Sequence, residues 1–64
     1  MKNKLKKVRE EKGMSQEELA EKSGVSRTTI SAIETEKKKI TTNITLERIA
    51  KALGEKVSNI FFTE

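Results

Sequence analysis

The sequence predicts an all-α fold, a compact arrangement of five short helices. Apolar side chains recur at spacings of three and four residues, as in the stretch 46–53, and this period is typical of amphipathic helices. Ser15 and Ser26 each precede such a stretch and are residues that commonly cap helix N-termini. A glycine, which ends a helix at low cost, follows three of the stretches: Gly13, Gly24 and Gly54.

Composition limits the classes of protein that this chain resembles. Its 64 residues are enough for one domain, expected to span residues 1–64, with a small core. The chain has no Cys and no His, which excludes disulfides, thiolate metal sites and most catalytic chemistry. It has no apolar run long enough for a membrane span and no signal-peptide core, so a cytoplasmic protein is expected. A formal net charge of +4 favours polyanionic partners.

The first helix is predicted from Asn3 to Lys12, with Leu5 and Val8 on its inward face. Lysines cover most of the remaining surface of this helix. Such a run of charges is usually a solvated face, but it can also lie close to phosphate groups. The residues alone leave both interpretations open.

A pair of helices joined by a tight corner is predicted at about residues 16–34. Ser15 caps the first helix, and Glu18, three residues further on, completes a capping box. Gly24 lies where the chain must turn, because a residue without Cβ adopts the left-handed conformation most easily. Ser26 caps the second helix. The residues expected to face inward are Leu19, Val25, Ile30 and Ile33.

The stretch Thr35–Ile44 is predicted to be a loop that contains three consecutive lysines. Ile40 and Ile44 are expected to anchor this loop to the core. Thr45 is then predicted to cap a fourth helix, Leu46–Leu53, whose apolar residues form one inward stripe.

A short fifth helix is predicted to begin at Val57. Val57, Ile60 and Phe61 are expected to close the core, which leaves Phe62 pointing elsewhere. An exposed aromatic residue beside Ile60 suggests a contact between subunits, and Ile60 and Phe62 are the predicted dimer contacts. The alternative is a single exposed phenylalanine without a role.

The helix pair resembles the helix-turn-helix of the Cro and lambda-repressor type, also called the xenobiotic response element family. The resemblance extends from about Leu5 to Phe61, and the residues that carry it are Gln16, Ala20, Gly24, Val25, Ser26, Ile30, Ile33 and Glu34. It implies a lambda-repressor-like DNA-binding domain whose third helix enters the major groove of double-stranded DNA. It also implies a transcriptional regulator, expected to be a repressor that binds a palindromic operator as a homodimer.

The resemblance further implies a structural ion pair between Arg9 and Glu34, since an arginine at the first position pairs with the glutamate that ends the recognition helix in this family. A guanidinium group can hold a carboxylate through two hydrogen bonds while it fills the space between helices. Removal of either partner is expected to leave a buried charge unpaired.

DNA contacts are expected on the third helix and around it. The predicted base-reading residues are Arg27, Thr28, Ser31 and Ala32. Arg27 can bond guanine O6 and N7, or it can contact a phosphate and add affinity without specificity. The predicted phosphate-contacting residues are Gln16, Ser26, Thr29, Lys37, Lys38, Lys39, Thr41, Thr42 and Asn43.

Other classes of function receive less support from the sequence. A protein-interaction module, such as an antitoxin or a co-regulator with secondary DNA binding, is the main alternative. An apolar outward surface on the third helix would favour that module, whereas the predicted surface is polar. An enzyme is not expected, because the chain has no paired-carboxylate motif and no glycine-rich phosphate loop. No cofactor, metal or small-molecule ligand is indicated.

Overall fold

A computed structural model describes residues 3–35 and 42–61, and the described chain is all-helical, as predicted. The five helices are α1 (Leu5–Glu11), α2 (Gln16–Ser23), α3 (Arg27–Glu34), α4 (Asn43–Leu53) and α5 (Val57–Ile60). Within these ranges no helix has the length and apolar character needed to cross a membrane.

The core lies where the apolar faces of the helices meet. Helix α2 packs against α3 and α4, while α1 contacts α3 and α5 contacts α4. The buried apolar residues are Leu5, Leu19, Val25, Ile30, Ile33, Leu46, Ile49, Ala50, Leu53, Ile60 and Phe61. Every helix contributes to this cluster, so each helix is held by burial of one face rather than by its own length.

The corner between α2 and α3 forms through the predicted local interactions. The Ser15 hydroxyl accepts a hydrogen bond from Glu18 N at 3.0 Å, and the Glu18 carboxylate accepts one from Ser15 N at 3.2 Å. Gly24 ends α2 with φ of 73°, and Ser26 accepts a bond from Thr29 N at 3.2 Å. These caps satisfy backbone groups that the helix ends leave without partners, and they fix the direction in which α3 leaves the corner.

The first helix begins later than predicted, because Asn3 uses its side chain to bridge two elements. Its Oδ1 accepts a hydrogen bond from Leu5 N at 3.0 Å, and its Nδ2 donates to the carbonyl oxygen of Ile33 at 3.0 Å. The backbone of Lys4 is also bonded to α5, since its N–H donates to Ile60 O at 2.8 Å. The N-terminal segment therefore connects α1 to α3 and α5 before the first helical turn.

The predicted start of the fourth helix is wrong by one turn. Thr42, and not Thr45, is the N-cap, and its hydroxyl accepts a hydrogen bond from Thr45 N at 3.2 Å. The longer helix carries Ile44 onto the outer face, where the residue is 62% exposed. The expectation that Ile44 anchors the loop is therefore wrong, and Ile40 lies outside the described residues.

The structure places Ile60, one of the two predicted dimer contacts, in the core of the domain. Ile60 is 0% exposed and Phe61 is 1% exposed, so both side chains belong to the core. Helix α5 is a single turn that ends at Ile60, and its position against α4 directs both residues inward. The other predicted contact, Phe62, lies outside the described residues.

Two isoleucines of α4 provide a direct test of this packing. We expect Ile49→Ala, at a position with 0% exposure, to lower the free energy of unfolding by about 2–5 kcal/mol, and Ile49→Val to lower it by about 0.5–1.5 kcal/mol. Ile44→Ala should change it by less than about 0.5 kcal/mol, because its side chain is already in water. Urea unfolding followed by circular dichroism measures all three. Equal losses for the two alanine variants would contradict the described packing of α4.

Candidate nucleic-acid interface

Helix α3 exposes one polar stripe opposite its buried residues. Ile30 and Ile33 point into the core, with 0% and 2% exposure. Arg27 and Thr28 are exposed, and Ser31 and Ala32, four residues further on, are half-buried. This spacing places all four on the same outer face, because residues four apart lie one above the other on a helix.

The stripe forms the wall of a concave surface that α2 borders. The residues lining this surface are Gln16, Arg27, Thr28, Ser31, Ala32 and Thr35. The structure thus brings together the four residues predicted to read bases and Gln16, which was predicted to contact phosphate. We refer to these six residues as the α3 surface.

Thr35 belongs to the α3 surface but was not predicted as a site residue. It is the C-cap of α3, and its hydroxyl donates a hydrogen bond to Ser31 O at 2.9 Å. The sequence interpretation assigned Thr35 to the loop, although its position four residues after Ser31 would have placed it on the same helix face.

The ion pair between Arg9 and Glu34 fastens the C-terminal end of α3 to the rest of the protein. Arg9 Nε lies 2.7 Å from Glu34 Oε2, and Arg9 Nη2 lies 3.2 Å from Glu34 Oε1. The third guanidinium nitrogen donates to the carbonyl oxygen of Met14 at 2.7 Å. The side chains are 10% and 3% exposed, so this pair is largely shielded from water.

This pairing also has an electrostatic role. Glu34 lies in the last turn of α3, where the negative end of the helix dipole disfavours a carboxylate. Arg9 supplies the compensating positive charge, and its hydrogen bond to Glu34 raises the pKa of Arg9 above its ordinary value, against the opposing effect of burial. Arg9 is therefore charged at neutral pH and can serve as the partner of Glu34.

Gln16 connects the ion pair to the α3 surface. Its Nε2 donates to Glu34 Oε1 at 3.0 Å, and its Oε1 accepts from Arg27 Nε at 3.4 Å. Because an ionised carboxylate only accepts hydrogen bonds, the NH₂ group of Gln16 must face Glu34 and the amide oxygen must face Arg27. Among residues 3–35 and 42–61, no acceptor is bonded to the second N–H of the amide, which leaves it for the predicted contact with a phosphate.

Arg27 is held from two sides at the N-terminal end of α3. Besides Gln16, it contacts Glu17, whose Oε1 lies 3.3 Å from Arg27 Nη1. Both charged side chains are well exposed, at 62% for Arg27 and 75% for Glu17. Glu17 was not predicted as a site residue, although it is the neighbour of Gln16 in the sequence.

The other residues predicted to contact phosphate lie away from the α3 surface or outside the described residues. Ser26 and Thr29 lie at the start of α3, where the Ser26 hydroxyl donates to Thr29 Oγ1 at 2.8 Å. Thr42 and Asn43 form the exposed N-terminus of α4. None of these four residues lines the α3 surface. The other predicted contacts lie outside the described residues: Lys37, Lys38, Lys39 and Thr41.

A helix-turn-helix corner whose second helix exposes a polar face is the arrangement that DNA-binding domains of this type place in the major groove. Comparison with known proteins agrees, because the model of a family described as helix-turn-helix matches residues 5–59. The chain is also 49% identical over 65 residues to an uncharacterised HTH-type transcriptional regulator of Methanocaldococcus jannaschii. That match covers 100% of this chain and 96% of the relative.

The chain therefore belongs to the helix-turn-helix family of DNA-binding transcription regulators, which confirms the Cro and lambda-repressor-type resemblance read from the sequence.

The Arg9–Glu34 pair can be tested through stability. We expect Arg9→Met to lower the free energy of unfolding by about 3–5 kcal/mol, because it leaves the Glu34 carboxylate buried without its cation. The double variant Arg9→Met, Glu34→Leu should recover part of this loss, since it leaves no unpaired buried charge. Lys12 donates to Glu55 at 3.2 Å in a more exposed pair, so Lys12→Met is a matched control with a much smaller expected loss. If the two substitutions lower the free energy of unfolding additively, with the double variant losing the sum of the two single losses, the two side chains do not interact.

Proposed function

We propose that this protein is a sequence-specific transcriptional repressor that binds a palindromic operator as a homodimer. In this proposal α3 enters the major groove and the α3 surface reads base edges. Residues 1–64 act as a single DNA-binding domain in the cytoplasm, associated with the nucleoid.

The observation that carries the proposal is the chemistry of the α3 surface. Five of its six side chains can form hydrogen bonds, and Ala32 is small enough to allow close approach. Arg27 is the cation of this surface, and an arginine can bond guanine O6 and N7 together. A polar surface with a single cation suits the donors and acceptors of base edges. A large exposed apolar patch would favour a protein-interaction module, and the α3 surface does not provide one.

The size of the surface supports a dimer. One α3 of eight residues spans only a few base pairs, which is a half-site. A two-fold symmetric pair presents two such helices about 34 Å apart, and the operator then has the same symmetry as the protein. A chain of 64 residues also has a small core, so burial of further surface against a second subunit would add stability.

Repression follows from occupancy in this mechanism. A dimer bound across an operator excludes RNA polymerase from the same DNA. Base contacts then determine which site is occupied, and contacts to phosphate determine how tightly the protein holds any DNA.

Selection of bound sequences from a random pool of double-stranded DNA tests the proposal. We expect an inverted repeat whose half-sites are centred about 10–10.5 base pairs apart, or a multiple of that distance. Sedimentation of the complex with the selected site should give two protein chains for each duplex. Recovery of unrelated sequences would contradict sequence-specific binding, and a single half-site with one bound chain would contradict the dimer.

Arg27 is expected to determine sequence preference. Arg27→Ala should reduce discrimination between the selected site and a scrambled duplex by about 1–3 kcal/mol, because it removes donors to a base edge. Arg48→Ala is the matched control, since Arg48 is exposed on α4 and does not line the α3 surface. It removes the same charge and should leave the discrimination unchanged. Equal weakening of both duplexes by Arg27→Ala would assign Arg27 to a phosphate contact instead.

A further inference from the structure

A carboxylate stands next to the residue expected to read bases. Glu17 Oε1 lies 3.3 Å from Arg27 Nη1, and the two residues belong to different helices of the corner. Gln16 approaches the same guanidinium group from its other edge, with its amide oxygen 3.4 Å from Nε. Arg27 is therefore oriented by α2 while α3 carries its backbone.

The two contacts leave part of the guanidinium group available. An arginine has five N–H donors in one plane. Gln16 engages the donor on Nε and Glu17 engages one donor on Nη1, and among the described residues none accepts a hydrogen bond from Nη2. The donors on Nη2 and the second donor on Nη1 thus remain available, and an arginine can bond two acceptors on one base edge.

We propose that Glu17 is a specificity-determining residue that acts by positioning Arg27. This inference rests on the proposed function, in which Arg27 reads a base. Glu17 holds the guanidinium group in an orientation suited to a base edge. Its negative charge also lowers the attraction of the Arg27 guanidinium group for phosphate groups.

The electrostatic part of this role follows from the charges. A free arginine beside DNA is drawn to the nearest phosphate, which has the same chemistry at every sequence. When a carboxylate sits beside the guanidinium group, the pair carries no net charge, and a phosphate gains little from it. The acceptors of a guanine edge still require directed N–H donors, and those donors remain. Glu17 therefore weakens non-specific contacts more than it weakens the specific contact.

The exposure of the pair limits the size of the effect. Ion pairs between exposed side chains change an equilibrium constant by at most about fivefold. We expect Glu17→Gln to strengthen binding to a scrambled duplex, because one repulsive charge is lost from the DNA-facing end of α2. The ratio of affinities for the selected and scrambled duplexes should fall by about two- to fivefold.

Glu21→Gln is the matched control. Glu21 lies four residues further along α2, is exposed and also carries one negative charge. Its loss changes the net charge equally without removing a contact to Arg27, so the ratio of affinities should stay at the wild-type value. Binding of each variant to both duplexes is measured by fluorescence anisotropy at one fixed salt concentration, since salt changes every affinity.

The decisive measurement repeats Glu17→Gln in an Arg27→Ala background. If Glu17 acts through Arg27, the substitution then leaves the ratio unchanged. The positioning role is overturned if Glu17→Gln alone leaves the ratio of affinities for the two duplexes at its wild-type value. It is also overturned if Glu17→Gln lowers this ratio equally with and without Arg27. Failure of the proposed function is recognised separately, because Arg27→Ala alone would then leave the ratio at its wild-type value. Circular dichroism melting of each variant confirms that the exposed substitutions leave the fold intact.

Discussion

The buried ion pair between Arg9 and Glu34 is the interaction on which the geometry of the α3 surface depends. Helix α3 has only eight residues, and a helix of that length is not stable in water by itself. Burial of Ile30 and Ile33 holds one side of it against the core. The ion pair then fixes its C-terminal end against α1, so that the helix presents a constant face outward.

A continuous set of polar contacts runs from this ion pair to the protein surface. Glu34 accepts bonds from Arg9 and Gln16, Gln16 accepts one from Arg27, and Arg27 contacts Glu17. Arg9 and Glu34 are largely buried and have fixed partners, whereas Arg27 and Glu17 are exposed. The arrangement therefore combines a largely buried base with an exposed end at which Arg27 is held by Glu17 and keeps further N–H donors for a DNA atom.

The sequence predicted the helix-turn-helix well because its signals are local. Ser15, Glu18, Gly24 and Ser26 act within one turn of the helix ends that they define, and their roles follow from residue type. The start of α4 was misjudged because Thr42 and Thr45 are both suitable N-caps, and only the packing of the preceding chain distinguishes them. That error moved Ile44 from an expected anchor to an exposed position.

The candidate site was predictable in its residues but not in its internal contacts. Helical spacing alone placed Arg27, Thr28, Ser31 and Ala32 on one face. The approach of Glu17 to Arg27 depends on the crossing of α2 and α3, which no local pattern specifies. The orientation of Ile60 was also not predictable from local sequence. Whether its side chain faces the core or a second subunit depends on how the single turn of α5 packs against α4.

The hydrogen bond from Lys4 N to Ile60 O has a consequence for the path of the chain. It places the two extremities of the described polypeptide side by side, 2.8 Å apart at these atoms. A short linker between them would lose little closure entropy, because it would not have to span the domain. The ends of the described polypeptide therefore lie close enough together for a short loop to join them while the five helices keep their packing.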